Sequence, residues 1–243
     1  KSLVVVQFSI SVVLIISTIL VYQQLRYMQE ENLGFTTSQL MMIPAPSAGR
    51  DSTFQQRKEA YQNEVAQQSF VQDYCTSGSG PGRGYNFSTD GFSSPKSKPG
   101  TETKSFSFAI IGERYLPVFN IPIRAGRNFT AAETRVEWND NDKILMNEKA
   151  IGELGFASAD EALNAKVKWD ERYLQVIGVI KDYHHESLQR SIVPMIFYPA
   201  QSGDLTVRLT ADNIQPKVAS LEKIYKKYFS GNPFEYYFVD ELF

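Results

Sequence analysis

The stretch SLVVVQFSISVVLIISTILVYQQL, residues 2–25, decides how the rest of the chain is read. It holds no charged side chain, and its polar interruptions are uncharged, chiefly Gln7, Ser9, Ser11, Ser17 and Thr18. A helix of roughly 20 apolar residues crosses about 30 Å of hydrocarbon at 1.5 Å per residue. Hydroxyls on such a helix bond back to its own carbonyls or to a neighbouring helix, so they do not veto the span. A secretory signal has a shorter apolar run, about 7–15 residues, and a small-residue cleavage site; Tyr22-Gln-Gln-Leu-Arg follows here instead. A buried core helix seldom stays uncharged for this length. The stretch reads as a transmembrane helix, represented by Leu3, Val6, Phe8, Val12, Ile15, Ile19 and Tyr22. The chain opens on Lys1 rather than Met, so it reads as part of a longer protein, and charge alone does not orient the span.

Beyond the span, Tyr22, Leu25, Met28 and Leu33 continue an apolar stripe near helical spacing, with Arg26, Gln29, Glu30 and Asn32 on the wet side. This predicts a stalk that projects from the bilayer and ends at Gly34, a residue suited to a left-handed helix cap. The whole chain carries 25 Lys and Arg against 27 Asp and Glu, so no overall basic footprint points to nucleic acid. One cysteine, Cys75, excludes an internal disulfide framework and a multi-cysteine zinc site.

The remaining residues predict a mixed α+β domain. Ser38–Ile43, a helix over 51–68 and Val71–Thr76 give strand–helix–strand. Residues 77–103, rich in Gly, Ser and Pro, read as a flexible surface loop without elements. Its Gly78–Gly84 fragment lacks the Gly-Lys-Ser/Thr of a phosphate loop. Short strands and helices follow, including an alternating strand at Lys104–Ile111 and a hairpin of Lys166–Trp169 with Leu174–Ile180. A strand around Leu205–Leu209, a helix through Val218–Tyr228 and an aromatic strand at Phe234–Val239 repeat the opening pattern. The fold class is therefore α+β: an N-terminal transmembrane and stalk helix (1–34), then a domain (35–243). In that domain a split βαβ, ferredoxin-like, porter-type layer (about 35–103 and 200–243) flanks an inserted, mostly β subdomain (about 104–199).

The catalytic inventory is poor. His184 and His185 are adjacent, which suits no shared metal; Asp182, His184 and Glu186 share a strand face and form at most a weak candidate. Cys75 shows no local activation, and the common hydrolase and dinucleotide motifs are missing. The reading is no catalytic residue, no cofactor and no metal.

Several segments resemble FtsX/MacB-like ABC-transporter permeases. The apolar opening ending in Val21-Tyr-Gln-Gln is similar to the transmembrane helix that begins one half of such permeases, and Leu33-Gly-Phe35 to the exit of its stalk. Ile123-Arg-Ala-Gly-Arg-Asn-Phe129, with Gly126, Arg127 and Phe129, resembles the family's "aGRnF" stretch; Asn147-Glu148-Lys-Ala resembles its "NE" helix. Ile177-Gly178-Val-Ile-Lys-Asp182-Tyr-His184-His-Glu-Ser187-Leu188 is the most specific match, and Phe234–Phe243 resembles the end of the periplasmic core domain. The resemblance implies a bacterial inner-membrane permease part with its main domain in the periplasm. It implies mechanotransmission driven by a cytoplasmic ABC ATPase, a second permease copy or half, and a periplasmic or outer-membrane partner. The alternative from another class is an extracytoplasmic ligand-binding sensor domain of a membrane receptor; a membrane-anchored hydrolase is disfavoured by the inventory above.

Overall fold

The computed structural model describes residues 2–30 and 33–243, with the side chains of residues 2, 3, 25 and 27–30 left aside. It divides into two units, Lys1–Leu33 and Gly34–Phe243.

In the first unit, α1 runs Ser2–Glu30. Every side chain from Val4 to Gln24 is exposed, and this 21-residue segment is long and apolar enough to cross a membrane. Ser9, Ser11 and Thr18 donate to the carbonyls of Val5, Gln7 and Leu14 at 2.9, 3.0 and 2.8 Å. Their hydroxyls are thereby satisfied within the helix, which removes most of their cost in hydrocarbon. Of the expected stalk residues, the side chains of Leu25 and Met28 lie outside the described set, as does the junction at residues 31–32. Leu33 is not helical, so the predicted cap at Gly34 closes no described helix turn.

The second unit opens with β1 (Leu40–Ile43), α2 (Phe54–Ala66) and β2 (Val71–Ser77). Next come β3 (Phe87–Thr89), β4 (Phe92–Ser93), β5 (Phe106–Ile111), α3 (Tyr115–Phe119) and β6 (Ile123–Gly126). Then follow β7 (Lys143–Asn147), α4 (Glu148–Glu153), α5 (Ala159–Ala162), β8 (Lys166–Trp169) and β9 (Arg172–Ile180). The unit closes with β10 (Met195–Pro199), β11 (Asp204–Leu209), α6 (Ile214–Tyr228) and β12 (Tyr237–Phe238).

These strands form one mixed sheet in the order β12-β1-β11-β2-β5-β10-β7-β9-β8-β4, with β3 added to β5 and β6 to β9. The first four are mutually antiparallel and arise from two β-α-β units, the interleaved order of a split βαβ layer. On one face α2 and α6 pack through Tyr61, Val65, Leu221 and Tyr225 against Met41, Ile43 and Val207. On the other, Leu40, Met42 and Cys75 join a cluster with Tyr115, Phe119 and Tyr183. Burial on both faces explains why β1 is four consecutive apolar residues rather than an alternation. A third cluster, with Phe92, Phe108, Ile144, Val176 and Ile196, fills the middle of the chain.

Two expectations are corrected, and one strand was not anticipated. Residues 77–103 are not a bare loop. Phe87 in β3 lies opposite Phe108 in β5, and Phe92 in β4 stacks on Trp169 at 5.3 Å, so two brief strands are fixed by aromatic burial that Gly and Pro content conceals. Both pair with strands of the middle segment. The aromatic strand at 234–239 shrinks to Tyr237–Phe238, because the chain turns into a 3-10 turn at Val239–Leu242 that buries Val239. Finally, β10 is wholly buried between β5 and β7, yet Pro194 and Pro199 bracket it and masked it as a strand in the sequence.

Candidate functional site

The three segments GRNF, NE and GVIKDYHH meet around the end of β9. Antiparallel pairing sets Gly126 opposite Gly178. Gly126 has φ +78°, and a Cβ there would lie 2.3 Å from the Ile177 carbonyl oxygen; a Cβ on Gly178 would lie 2.4 Å from that of Arg127. The two glycines thus permit a backbone approach that no larger residue allows. Arg127 clasps Glu133 through both terminal nitrogens, at 2.8 and 2.7 Å. This guanidinium, aided by Thr130, holds the Glu133 carboxyl down at about 2. Phe129 is buried in the cluster with Tyr115 and Phe119.

Asn147 caps α4 and does more. Its Oδ1 accepts from Ala150 N and from Met195 N, at 3.0 and 2.8 Å, and its Nδ2 donates to the Val193 carbonyl at 2.9 Å. Glu148 and Asp182 tie the two segments reciprocally. Asp182 N donates to Glu148 Oε2 and Lys149 N donates to Asp182 Oδ1, each at 3.0 Å. Burial pushes the Asp182 carboxyl up. The remaining residues of the motif act separately: His184 is half-buried, Ser187 Oγ accepts from Gln189 N, and Leu188 is half-buried. Glu186 pairs with Arg190 at 3.0 Å while Asp182 faces α4, so Asp182, His184 and Glu186 are not drawn into one cluster. Among the described residues no group of three or more His, Cys, Asp or Glu side chains converges.

The alternate residues of the same segment face inward. Tyr115 and Tyr183 share a hydroxyl contact of 3.2 Å, Tyr183 Oη lies 2.9 Å from His185 Nδ1, and His185 Nε2 lies 2.6 Å from the Gly84 carbonyl. A carbonyl only accepts, so Nε2 carries the proton and Nδ1 accepts from Tyr183. His185 is 2% exposed; desolvation lowers its pKa to about 4 and keeps it neutral. Tyr85 stacks on its ring at 4.9 Å, Gly82 N donates to its carbonyl, and Ser79 Oγ donates to Gly84 O. The Gly-rich segment 79–85 is therefore anchored rather than a free surface loop.

The second unit's own entry closes onto this network. Gly34, at φ +85°, fits so tightly that a Cβ would lie 2.9 Å from Tyr183 Cβ. The Phe35 ring then meets Phe119, Tyr183 and Phe243 edge-on at 6.0, 5.6 and 5.5 Å, and Thr36 N donates to Phe119 O. Sequence reasoning placed Gly34 and Phe35 at the exit of a stalk but did not bring Tyr115, Tyr183 and His185 together. The available signal was the alternation of Tyr183 and His185 on one side of the extended chain. Desolvation also raises the hydroxyls of Tyr115 and Tyr183 and the Cys75 thiol. The groups here are suited to fixing geometry, not to moving protons near neutrality.

A profile of the MacB-like periplasmic core domain matches residues 3–224. No curated protein sequence matches the chain significantly. Among solved structures, the periplasmic region of MacB from Actinobacillus actinomycetemcomitans is similar, at 22% identity and a TM-score of 0.53, over 88% of this chain and 94% of that one. The extracellular domain of the noncanonic ABC-type transporter YknZ from Gram-positive bacteria aligns at 13% identity and 0.53, over 81% and 97%. A domain of a putative permease protein from Porphyromonas gingivalis aligns at 12% and 0.53, over 83% and 90%. At these identities the structures establish a shared fold.

Proposed function

The chain belongs to the family of MacB-like periplasmic core domains of ABC-transporter permeases, and from that premise we propose that it is a mechanotransmission module. In this reading α1 anchors the chain in the inner membrane and the mixed sheet stands in the periplasm. Residues 1–34 serve as span and stalk, and porter-like halves of about 35–103 and 200–243 enclose an inserted subdomain of about 104–199. A cytoplasmic ABC ATPase supplies the movement, a second permease copy or half completes the transporter, and a periplasmic or outer-membrane partner receives the motion. The module itself catalyses nothing.

The observation that carries this reading is the wedge at Gly34–Phe35. The first residues of the domain insert between Phe119, Tyr183 and Phe243 rather than trailing off as a linker. A displacement delivered to Phe35 acts on packed aromatic rings, and close-packed interiors transmit strain. The test is the complete transporter reconstituted with its ATPase. Inserting a few residues near Gln29 in α1, or making Phe35→Ala, is expected to lower the amount transported per ATP at least several-fold while ATP hydrolysis continues. Transport per ATP unchanged by both would overturn rigid coupling through this entry.

A further inference from the structure

A polar cleft of about 160 Å³ opens where α2 and β2 border the start of α3 and the 133–135 turn. From α2 it takes Glu59, Gln62 and Asn63, whose spacing of three and four residues places them on one helical face. The turn contributes Arg135. The floor is tight. Gly112 N donates to the Thr76 carbonyl at 2.9 Å, and a Cβ on Gly112 would lie 2.8 Å from Thr76 Oγ1.

The charged groups lining it fall into two kinds. Glu113 and Arg114 are spent on the fold: Glu113 Oε2 accepts from Thr134 Oγ1 at 3.1 Å and from Gln201 Nε2 at 3.4 Å, and Arg114 Nε and Nη2 donate to Asp73 Oδ1 at 2.9 and 2.5 Å. Arg135 has no such bond. Among the described residues its guanidinium, and the side-chain amides of Gln62 and Asn63, make no hydrogen bond or ion pair within the chain. Glu59 has no ion pair there and accepts only from Gln55, at 3.1 Å. The cleft therefore offers one uncommitted cation, one nearly uncommitted anion and two uncommitted amides.

That set discriminates between ligand classes. A simple anion satisfies Arg135 but meets the Glu59 carboxylate, and a simple cation meets the reverse. A molecule carrying both charges satisfies both walls, its carboxylate forked on the guanidinium. A cavity of about 150 Å³ accommodates a molecule the size of benzene. We propose that this cleft binds a small zwitterionic α-amino acid, with its carboxylate on Arg135, its ammonium on Glu59 and its side chain among the amides of Gln62 and Asn63. A bound amino acid bridges α2 of the split βαβ layer and the 133–135 turn of the middle segment. This inference is independent of the mechanotransmission reading.

The test is isothermal titration calorimetry of the full chain in detergent micelles, with L-serine as the probe. Saturable one-to-one binding is expected, weakened by about tenfold or more in Arg135→Gln and in Glu59→Gln. Both side chains are exposed, so each variant is expected to keep the wild-type circular dichroism spectrum. Acetate and ethylamine, with one charge each, are expected to bind at least about tenfold more weakly than L-serine. No saturable heat with L-serine, or binding unchanged in both variants, overturns the proposal. Acetate binding as tightly as L-serine also overturns it, since the cleft is then an anion site.

Discussion

At the scale of single residues, His185 shows how a polar group can serve packing. Both its ring nitrogens are committed, and its folded pKa of about 4 lies below the ordinary 6.5. The unfolded chain therefore takes up a proton first as pH falls. The stability His185 contributes is complete above about pH 6.5 and is lost progressively toward pH 4. At about 1.36 kcal/mol per pH unit, the loss reaches roughly 2 kcal/mol by about pH 5. Glu133, held down by Arg127, loses its own contribution only below about pH 4.5, so a comparison at pH 7 and pH 5 reads His185 alone of the two. Urea unfolding of wild type and His185→Gln at about pH 7 and pH 5 is the measurement. The wild type is expected to weaken by roughly 2 kcal/mol more than the variant, and equal weakening in both would show that His185 is not held neutral.

Among the elements, α4 illustrates a helix too short to stand by propensity. It has six residues, and isolated helices below about 12 are marginal in water. Its existence rests on Asn147, whose amide caps the first turn and also reaches both Val193 and the start of β10. Asn147→Ala removes the cap and leaves buried backbone groups unpaired, which is expected to cost about 2–3 kcal/mol in denaturant unfolding. Asn147→Asp keeps the acceptor and loses the donor, so an intermediate loss is expected. A cost below about 0.5 kcal/mol for Asn147→Ala would show that the cap is dispensable. The capping signal at Ser158, whose Oγ accepts from Glu161 N at 3.2 Å, was legible in the sequence because it is local. The bonds from Asn147 to residues 193 and 195 were not, since nothing near Asn147 in the chain announces a partner nearly fifty residues away.

The whole molecule joins an apolar helix to a domain with its own three hydrophobic clusters. A mean hydropathy of −0.29 averages these two unlike parts. Removing residues 1–33 is expected to leave a soluble, folded domain, because among the described residues no cluster draws on one before Phe35. Circular dichroism and a cooperative thermal transition within about 5 °C of that of the full chain check this. An aggregated or non-cooperative product would mean that the helix completes the fold.

The sequence by itself determined what rests on local pattern. The uncharged run at 2–25 predicts the long apolar helix α1, and the two strand–helix–strand units predict the split βαβ layer that β12-β1-β11-β2 forms. Periodicity over adjacent residues settles such features, because a helix or a strand places its own neighbours. Only the tertiary structure decided that β3 and β4 exist, that β10 is central, and that Phe35, Tyr115, Tyr183 and His185 converge. The partners of these residues come from distant parts of the chain. Their conformation is fixed by burial against those partners, a free energy that local sequence does not display.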